Sequence, residues 1–64
     1  MTELIELLKT KWLTGLEIRK ILNISYTNVT NTLLYIGEHY PLAEYVIDGK
    51  PVYKIITEKD FESV

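Results

Sequence analysis

The chain has 64 residues, one domain at most, and a chain this short hides only about 60% of the surface its unfolded form exposes. Its 47% hydrophobic and 25% charged residues are those of a globular domain, not a disordered one. The lack of cysteine and the single histidine exclude a disulfide framework, a thiolate metal site and a histidine-cluster metal site.

Leu4, Ile5, Leu7 and Leu8 recur at helical spacing, with Glu3, Glu6 and Lys9 on the other face. A first helix is expected near 2–11, N-capped by Thr2, with acidic residues at its positive start and Lys9 and Lys11 at its end. Thr14-Gly-Leu-Glu17 has the form of a capping box, and Leu13 with Ile18 fits a hydrophobic staple. A second helix therefore runs near 15–22, burying Ile18, Ile21 and Leu22 and turning Arg19 and Lys20 outward. Asn23 suits a left-handed helix stop in place of glycine, and Ser25 suits the next N-cap. Val29, Leu33, Ile36 and Tyr40 then stripe a third helix near 26–39, which Pro41 ends.

After Pro41 the period changes. Leu42–Ile47 and Val52–Ile56 are rich in β-branched and aromatic residues, and Asp48-Gly49 between them is a hairpin signal. Pro51 either belongs to a four-residue loop or starts the second strand. Both registers put Leu42, Val46, Tyr53 and Ile55 on one face of a hairpin near 42–57, and Tyr45, Ile47, Val52 and Lys54 on the other. The acidic tail, 58–64, either forms a last helical turn capped by Thr57 with Phe61 docked, or frays. The expected core is Leu4, Leu8, Trp12, Ile18, Ile21, Ile24, Val29, Leu33, Ile36, Val46, Tyr53 and Ile55.

Opposite Val29, the third helix carries Thr27, Asn31 and Leu34, flanked by Asn28, Thr30 and Tyr35. An unpartnered surface helix usually carries lysine and glutamate; hydroxyls and amides are poor helix formers there. Asparagine can bond adenine bidentately, threonine can meet a thymine methyl or a phosphate, and tyrosine can donate to phosphate. The plainer alternative is a solvated polar face. The net charge of −2 opposes a nucleic-acid partner, but it is unevenly spread. Residues 9–35 carry Lys9, Lys11, Arg19 and Lys20 against Glu17 alone, while the tail is acidic. On the hairpin, Lys50 and Lys54 either touch phosphates or protect strand edges. Tyr45, Ile47 and Val52 either meet a partner chain or pack under the tail. Trp12 reads as core, and His39 as a cation at a helix end.

The order of elements and three stretches carry a family resemblance. Thr14-Gly-Leu-Glu-Ile-Arg-Lys-Ile-Leu-Asn-Ile-Ser25 is similar to the second helix and tight turn of winged helix-turn-helix domains. Ser25-Tyr-Thr-Asn-Val29-Thr-Asn-Thr-Leu33-Leu-Tyr-Ile36 resembles their recognition helix, and Asp48-Gly-Lys-Pro-Val-Tyr53-Lys54 their wing. The chain looks most like small prokaryotic repressors of the arsenical-resistance and multiple-antibiotic-resistance types. It departs from them in Asn23, where glycine is frequent, and in carrying fewer arginines. The resemblance implies an α+β fold, a single winged helix domain over 1–64, with the helix-turn-helix at 14–39 and the wing at 42–57. It also implies a transcription regulator that binds double-stranded DNA, the third helix entering the major groove. The contacting set expected is Lys11, Arg19, Lys20, Ser25, Tyr26, Thr27, Asn28, Thr30, Asn31, Tyr35, Lys50 and Lys54.

A homodimer is expected, because one unit of this size covers little DNA and such repressors read two half-sites. Helix 1 and the segment from Tyr45 to Phe61 are the candidate contacts. No catalytic constellation, phosphate loop, cofactor or small-molecule site is legible, so the chain does not read as an enzyme. No apolar run approaches the roughly 20 residues that span a bilayer, and no signal peptide opens the chain. A cytoplasmic location is expected, in a prokaryote or the host of a virus; by family habit, an accessory protein of a virus or plasmid fits. The competing expectation is a winged helix used for protein–protein contact.

Overall fold

The structure is a computed structural model that describes residues 2–62; Met1, Ser63 and Val64 lie outside the described residues, and with them the end of the acidic tail. It is a small α+β domain of four helices and a three-stranded antiparallel sheet among those residues. The elements are α1 (Thr2–Thr10), β1 (Leu13–Thr14), α2 (Gly15–Leu22), α3 (Tyr26–His39), β2 (Leu42–Ile47), β3 (Lys50–Ile55) and α4 (Glu58–Glu62).

Local chemistry sets the helix ends. The Thr14 side chain accepts from the Glu17 N–H at 3.1 Å and the Glu17 carboxylate accepts from the Thr14 N–H at 3.0 Å, the reciprocal pair of a capping box. That backbone bond first, with the Thr14 hydroxyl and the nearby Lys11 and Lys20, holds the Glu17 carboxyl below its ordinary value, against the opposing effect of burial. Asn23 stops α2 at φ 55°, ψ 52°, the left-handed region. Two residues later the Ser25 hydroxyl accepts from the Asn28 N–H at 3.4 Å and starts α3. Thr2 is the first residue of α1 rather than its cap.

The sheet order is β1-β3-β2, so the last strand in sequence is the central one. β1 was not expected. Leu13 pairs with Tyr53 and Thr14 with Val52, and a two-residue strand leaves no periodic signal of its own. In the hairpin, Asp48 (φ 52°) and Gly49 (φ 76°) form a two-residue turn of type I′ character. Ile47 faces Lys50 and Leu42 faces Ile55. Pro51 is therefore in the strand, opposite Val46. The turn makes Ile47/Lys50 a hydrogen-bonded pair and Val46/Pro51 a non-bonded one, so Pro51 withholds no bond from β2. The expected face grouping holds: Leu42 and Val46 lie with Tyr53 and Ile55, and Tyr45 and Ile47 with Val52 and Lys54.

Leu4, Ile5 and Leu8 of α1, Leu13, Ile18, Val29, Ile36 and Ile55 form the core, with Ile24, Leu33 and Tyr53 half-buried against it. Three expected core residues are exposed. Trp12 is 42% exposed, because Leu13 takes the inward position of the extended segment. The Trp12 ring instead meets Tyr45 edge-on at 6.4 Å on the outer face of the sheet. Ile21 falls at the edge of a two-turn helix whose only fully inward residue is Ile18. Val46 shares a face with Ile55 but lies toward the hairpin tip, where its partner Pro51 is exposed too. Conversely, Ile5, Leu13 and Val52 are buried without having been expected.

The tail does form α4, but Phe61 does not dock; it is 72% exposed. Polar contacts fasten the helix. Asp60 Oδ2 accepts from the Thr57 N–H at 2.7 Å, the Thr57 hydroxyl at 3.2 Å and Lys54 Nζ at 2.8 Å. Tyr53 beside it in the sequence points inward, and burial first, then the charge of Glu44 across the strand pair, pushes its hydroxyl above the ordinary value.

Candidate nucleic-acid interface

α3 has 14 residues, about 21 Å of helix. Val29 and Ile36 anchor it to the core, and Leu33 packs beside them. This fixes which side faces out. Tyr26, Thr27, Asn28, Thr30, Asn31, Leu34 and Tyr35 are all exposed, as the helical period predicts. Their donors and acceptors are partly engaged already. The Thr30 hydroxyl donates to the Tyr26 carbonyl at 3.3 Å, which leaves its lone pairs to accept. The Ser25 hydroxyl accepts the Asn28 N–H and keeps its own proton to give. The Tyr35 ring tilts against His39 with centroids 4.6 Å apart, placing both near the far end of the helix.

Tyr26 ties the face to its basic surroundings. The Arg19 guanidinium of α2 lies 5.2 Å from the centre of its ring, a cation–π contact that orients the arginine at the start of α3. Arg19, Lys20, Asn23, Ile24 and Ser25 line a shallow cleft of about 420 Å³ at the turn between α2 and α3. On another side of Tyr26, a cleft of about 320 Å³ is walled by Thr14, Gly15, Leu16, Lys50 and Pro51. The hairpin lysine and the first residue of α3 thus share one surface depression. Lys11, Arg19, Lys20 and Lys50 are exposed and have no ion pair within 4 Å among the described residues. Leu16 belongs to this surface and was missed; it lies off the Ile18–Leu22 stripe, which was a signal that it points away from the core.

Lys54 does not belong here. Its side chain is 8% exposed, and Nζ donates to the Lys9 carbonyl at 3.1 Å, the Ile55 carbonyl at 3.2 Å and Asp60 Oδ2 at 2.8 Å. Those three acceptors use all three ammonium donors, so none is left for a phosphate. The expectation that Lys54 contacts DNA is corrected for that reason. These contacts hold the Asp60 carboxyl below its ordinary value, the Lys54 hydrogen bond first and the Thr57 N–H second. The spacing Thr57-Glu-Lys-Asp60 was the available signal, because it places an acceptor over the N-terminus of a short helix.

Charge of the opposite sign stands at one flank. Glu44 lines a cleft of about 250 Å³ with Thr30, Leu33, Leu34, Leu42 and Tyr53, between α3 and the sheet. Positive charge therefore gathers around the first two turns of α3, and a carboxylate sits beside its third. Among the described residues no three His, Cys, Asp or Glu side chains group as metal ligands, and no helix is long and apolar enough to cross a membrane. Comparison of the chain with protein-family models, with curated proteins and with solved structures gave no match.

Proposed function

We propose that this domain is a winged helix-turn-helix that binds double-stranded DNA as a homodimer and acts as a small transcription regulator. α3 is the helix that enters the major groove, α2 braces it through the short Asn23–Ser25 turn, and the β2–β3 hairpin is the wing. The observation that carries this reading is the exposed amide and hydroxyl face of α3, with the exposed cations Arg19, Lys20 and Lys50 gathered at its start. A major groove admits one helix, and the N-terminal residues of such a helix are those that reach base edges. Thr27, Asn28 and Asn31 fall in its first two turns, where the positive charge lies. Ser25, Tyr26 and Thr30 serve phosphates or base edges beside them. Tyr35, farther along, serves a phosphate.

Selection of bound sequences from a random duplex pool, at stated salt, tests the reading. Asn31→Ala is expected to relax preference at one base pair and to cost about 1–3 kcal/mol there, the worth of a bidentate adenine contact. Selection that recovers the same sequence after joint loss of Thr27, Asn28 and Asn31 would show that α3 is not the reader.

One observation favours a second reading, a winged helix that docks on another protein: Leu34 is 64% exposed in the middle of the α3 face. Salt separates the two. DNA affinity falls steeply as salt rises, and an apolar contact does not.

A further inference from the structure

The sheet has two edges of unequal character. β1 is two residues long, and a short edge offers little to a neighbour. β2 is six residues long, Leu-Ala-Glu-Tyr-Val-Ile, with no lysine, no proline and one charge. Such an edge lacks the devices that normally prevent strand-to-strand pairing. The hairpin register decides which backbone groups it offers. Ala43, Tyr45 and Ile47 bond inward to β3, so Glu44 and Val46 point their N–H and C=O groups outward. The Leu42 N–H is already given to the Tyr40 carbonyl at 2.8 Å.

We infer that β2 pairs antiparallel with β2 of a second copy, about a two-fold axis through Tyr45. This deepens the homodimer of the proposed function and rests on that reading for its purpose, though the contact itself needs no DNA. With Tyr45 on the axis, Glu44 of each copy exchanges two backbone hydrogen bonds with Val46 of the other, four in all. Centring on Glu44 instead would set two carboxylates opposite each other. Centring on Val46 would bring Glu44 against Asp48 and leave one fully bonded pair. Charge and bond count thus select one register. In it the two Tyr45 side chains, 63% exposed in the single chain, face each other as a non-bonded pair, each backed by Trp12 on the same face. Ala43 faces Ile47 of the second copy, small against large. The contact is isologous and closes, leaving only the short β1 strands as outer edges of a six-stranded sheet. A single strand edge covers less than the roughly 1,200 Å² of a standard interface. The dimer is therefore weak alone and strengthened when a DNA site holds both copies.

The chain has no cysteine, so single cysteines report the register directly. Tyr45→Cys places two thiols across a non-bonded pair, within disulfide reach. Ile47→Cys places them about four residues apart along the strands, roughly 13 Å, which a disulfide cannot span. Mild oxidation without DNA, followed by non-reducing electrophoresis, is expected to link Tyr45→Cys into a species of twice 7.5 kDa at least tenfold faster than Ile47→Cys. Equal rates, or no linked species from Tyr45→Cys, would overturn the proposal. Adding Val46→Pro removes an outward N–H and no bond to β3, and is expected to slow the linking; a folded Val46→Pro, Tyr45→Cys protein that links as fast as before overturns it as well. If Val46→Pro does not fold, the Tyr45/Ile47 comparison decides alone. Duplex binding of the same chains, followed by fluorescence anisotropy, is scored separately. Loss of DNA binding with intact cross-linking refutes the DNA reading, and the reverse refutes the dimer contact.

Discussion

Two lysines four residues apart on one strand are expected to behave oppositely in a salt titration. Lys50 is exposed at the hairpin and shares a cleft with Tyr26, whereas Lys54 spends its three donors inside the fold. The exposed cations of the expected contacting set are Lys11, Arg19, Lys20 and Lys50. If each neutralises one phosphate, the log–log slope of affinity against salt is about −3.6 per protomer. A fourfold rise in salt then weakens binding about 150-fold. Lys50→Ala leaves three contacts, a slope of about −2.7 and a loss of about 40-fold over the same interval. Lys54→Met keeps the apolar stem and removes the charge, so it leaves the slope at the wild-type value. Fluorescence anisotropy of a short labelled duplex over a salt series measures all three chains, with circular dichroism to establish that Lys54→Met is folded. A wild-type slope from Lys50→Ala would refute the assignment of the hairpin to phosphate contact. A slope from folded Lys54→Met as shallow as that of Lys50→Ala would refute the internal role of Lys54.

Three further outcomes follow from the packing and the caps. Ile36 is fully buried, so Ile36→Ala is expected to cost about 3 kcal/mol, against a total of about 3–10 kcal/mol for a chain of this size; urea unfolding followed by Trp12 fluorescence checks it. Asn23→Ala forces a Cβ-bearing residue without a helpful amide into the left-handed region and is expected to cost about 1 kcal/mol, while Asn23→Gly shows no such loss in the same assay. Acid should loosen the molecule in a defined range. Asp60 and Glu17 both have folded values below their unfolded ones. Their contribution is therefore present above about pH 4 and is lost as pH falls through the lowered values. Thermal melts between neutral and acid pH check this, with Asp60→Asn flattening part of the acid limb.

What could be read in the sequence was chemistry that acts over three or four residues. Thr14 with Glu17, Asn23 in the left-handed region, Ser25 before α3 and the Asp48-Gly49 turn each carry their own signal, and each stands where that signal put it. What escaped depends on partners far along the chain. β1 exists only because β3, some forty residues later, pairs with it. Trp12 has an amphipathic setting on paper, yet the strand that begins at Leu13 turns it to the opposite face. Lys54 shows the limit most clearly. A lysine on a hairpin strand reads as solvent-facing, and only the arrival of the Lys9 carbonyl and of Asp60 makes its burial tolerable. For the candidate interface, the helical period was enough to name the outward face of α3. It could not show that Tyr26 orients Arg19 or that Lys50 reaches the same depression.

The central position of β3 bears on how the chain is made. Synthesis delivers α1, β1, α2 and α3 first, then β2, and the strand that both β1 and β2 require comes after them. Until Ile55 has left the ribosome, Leu4, Leu8 and Leu13 lack one wall of their core and Tyr53 cannot meet Leu13. Lys54 then waits a few residues more for Asp60. The three helices would pass through that interval as a loosely held group, open to proteases and to chaperones, and the domain would close in one step at its far end. Truncations should show no graded series of partly folded proteins: chains ending before β3 should be degraded, while those that include Asp60 accumulate.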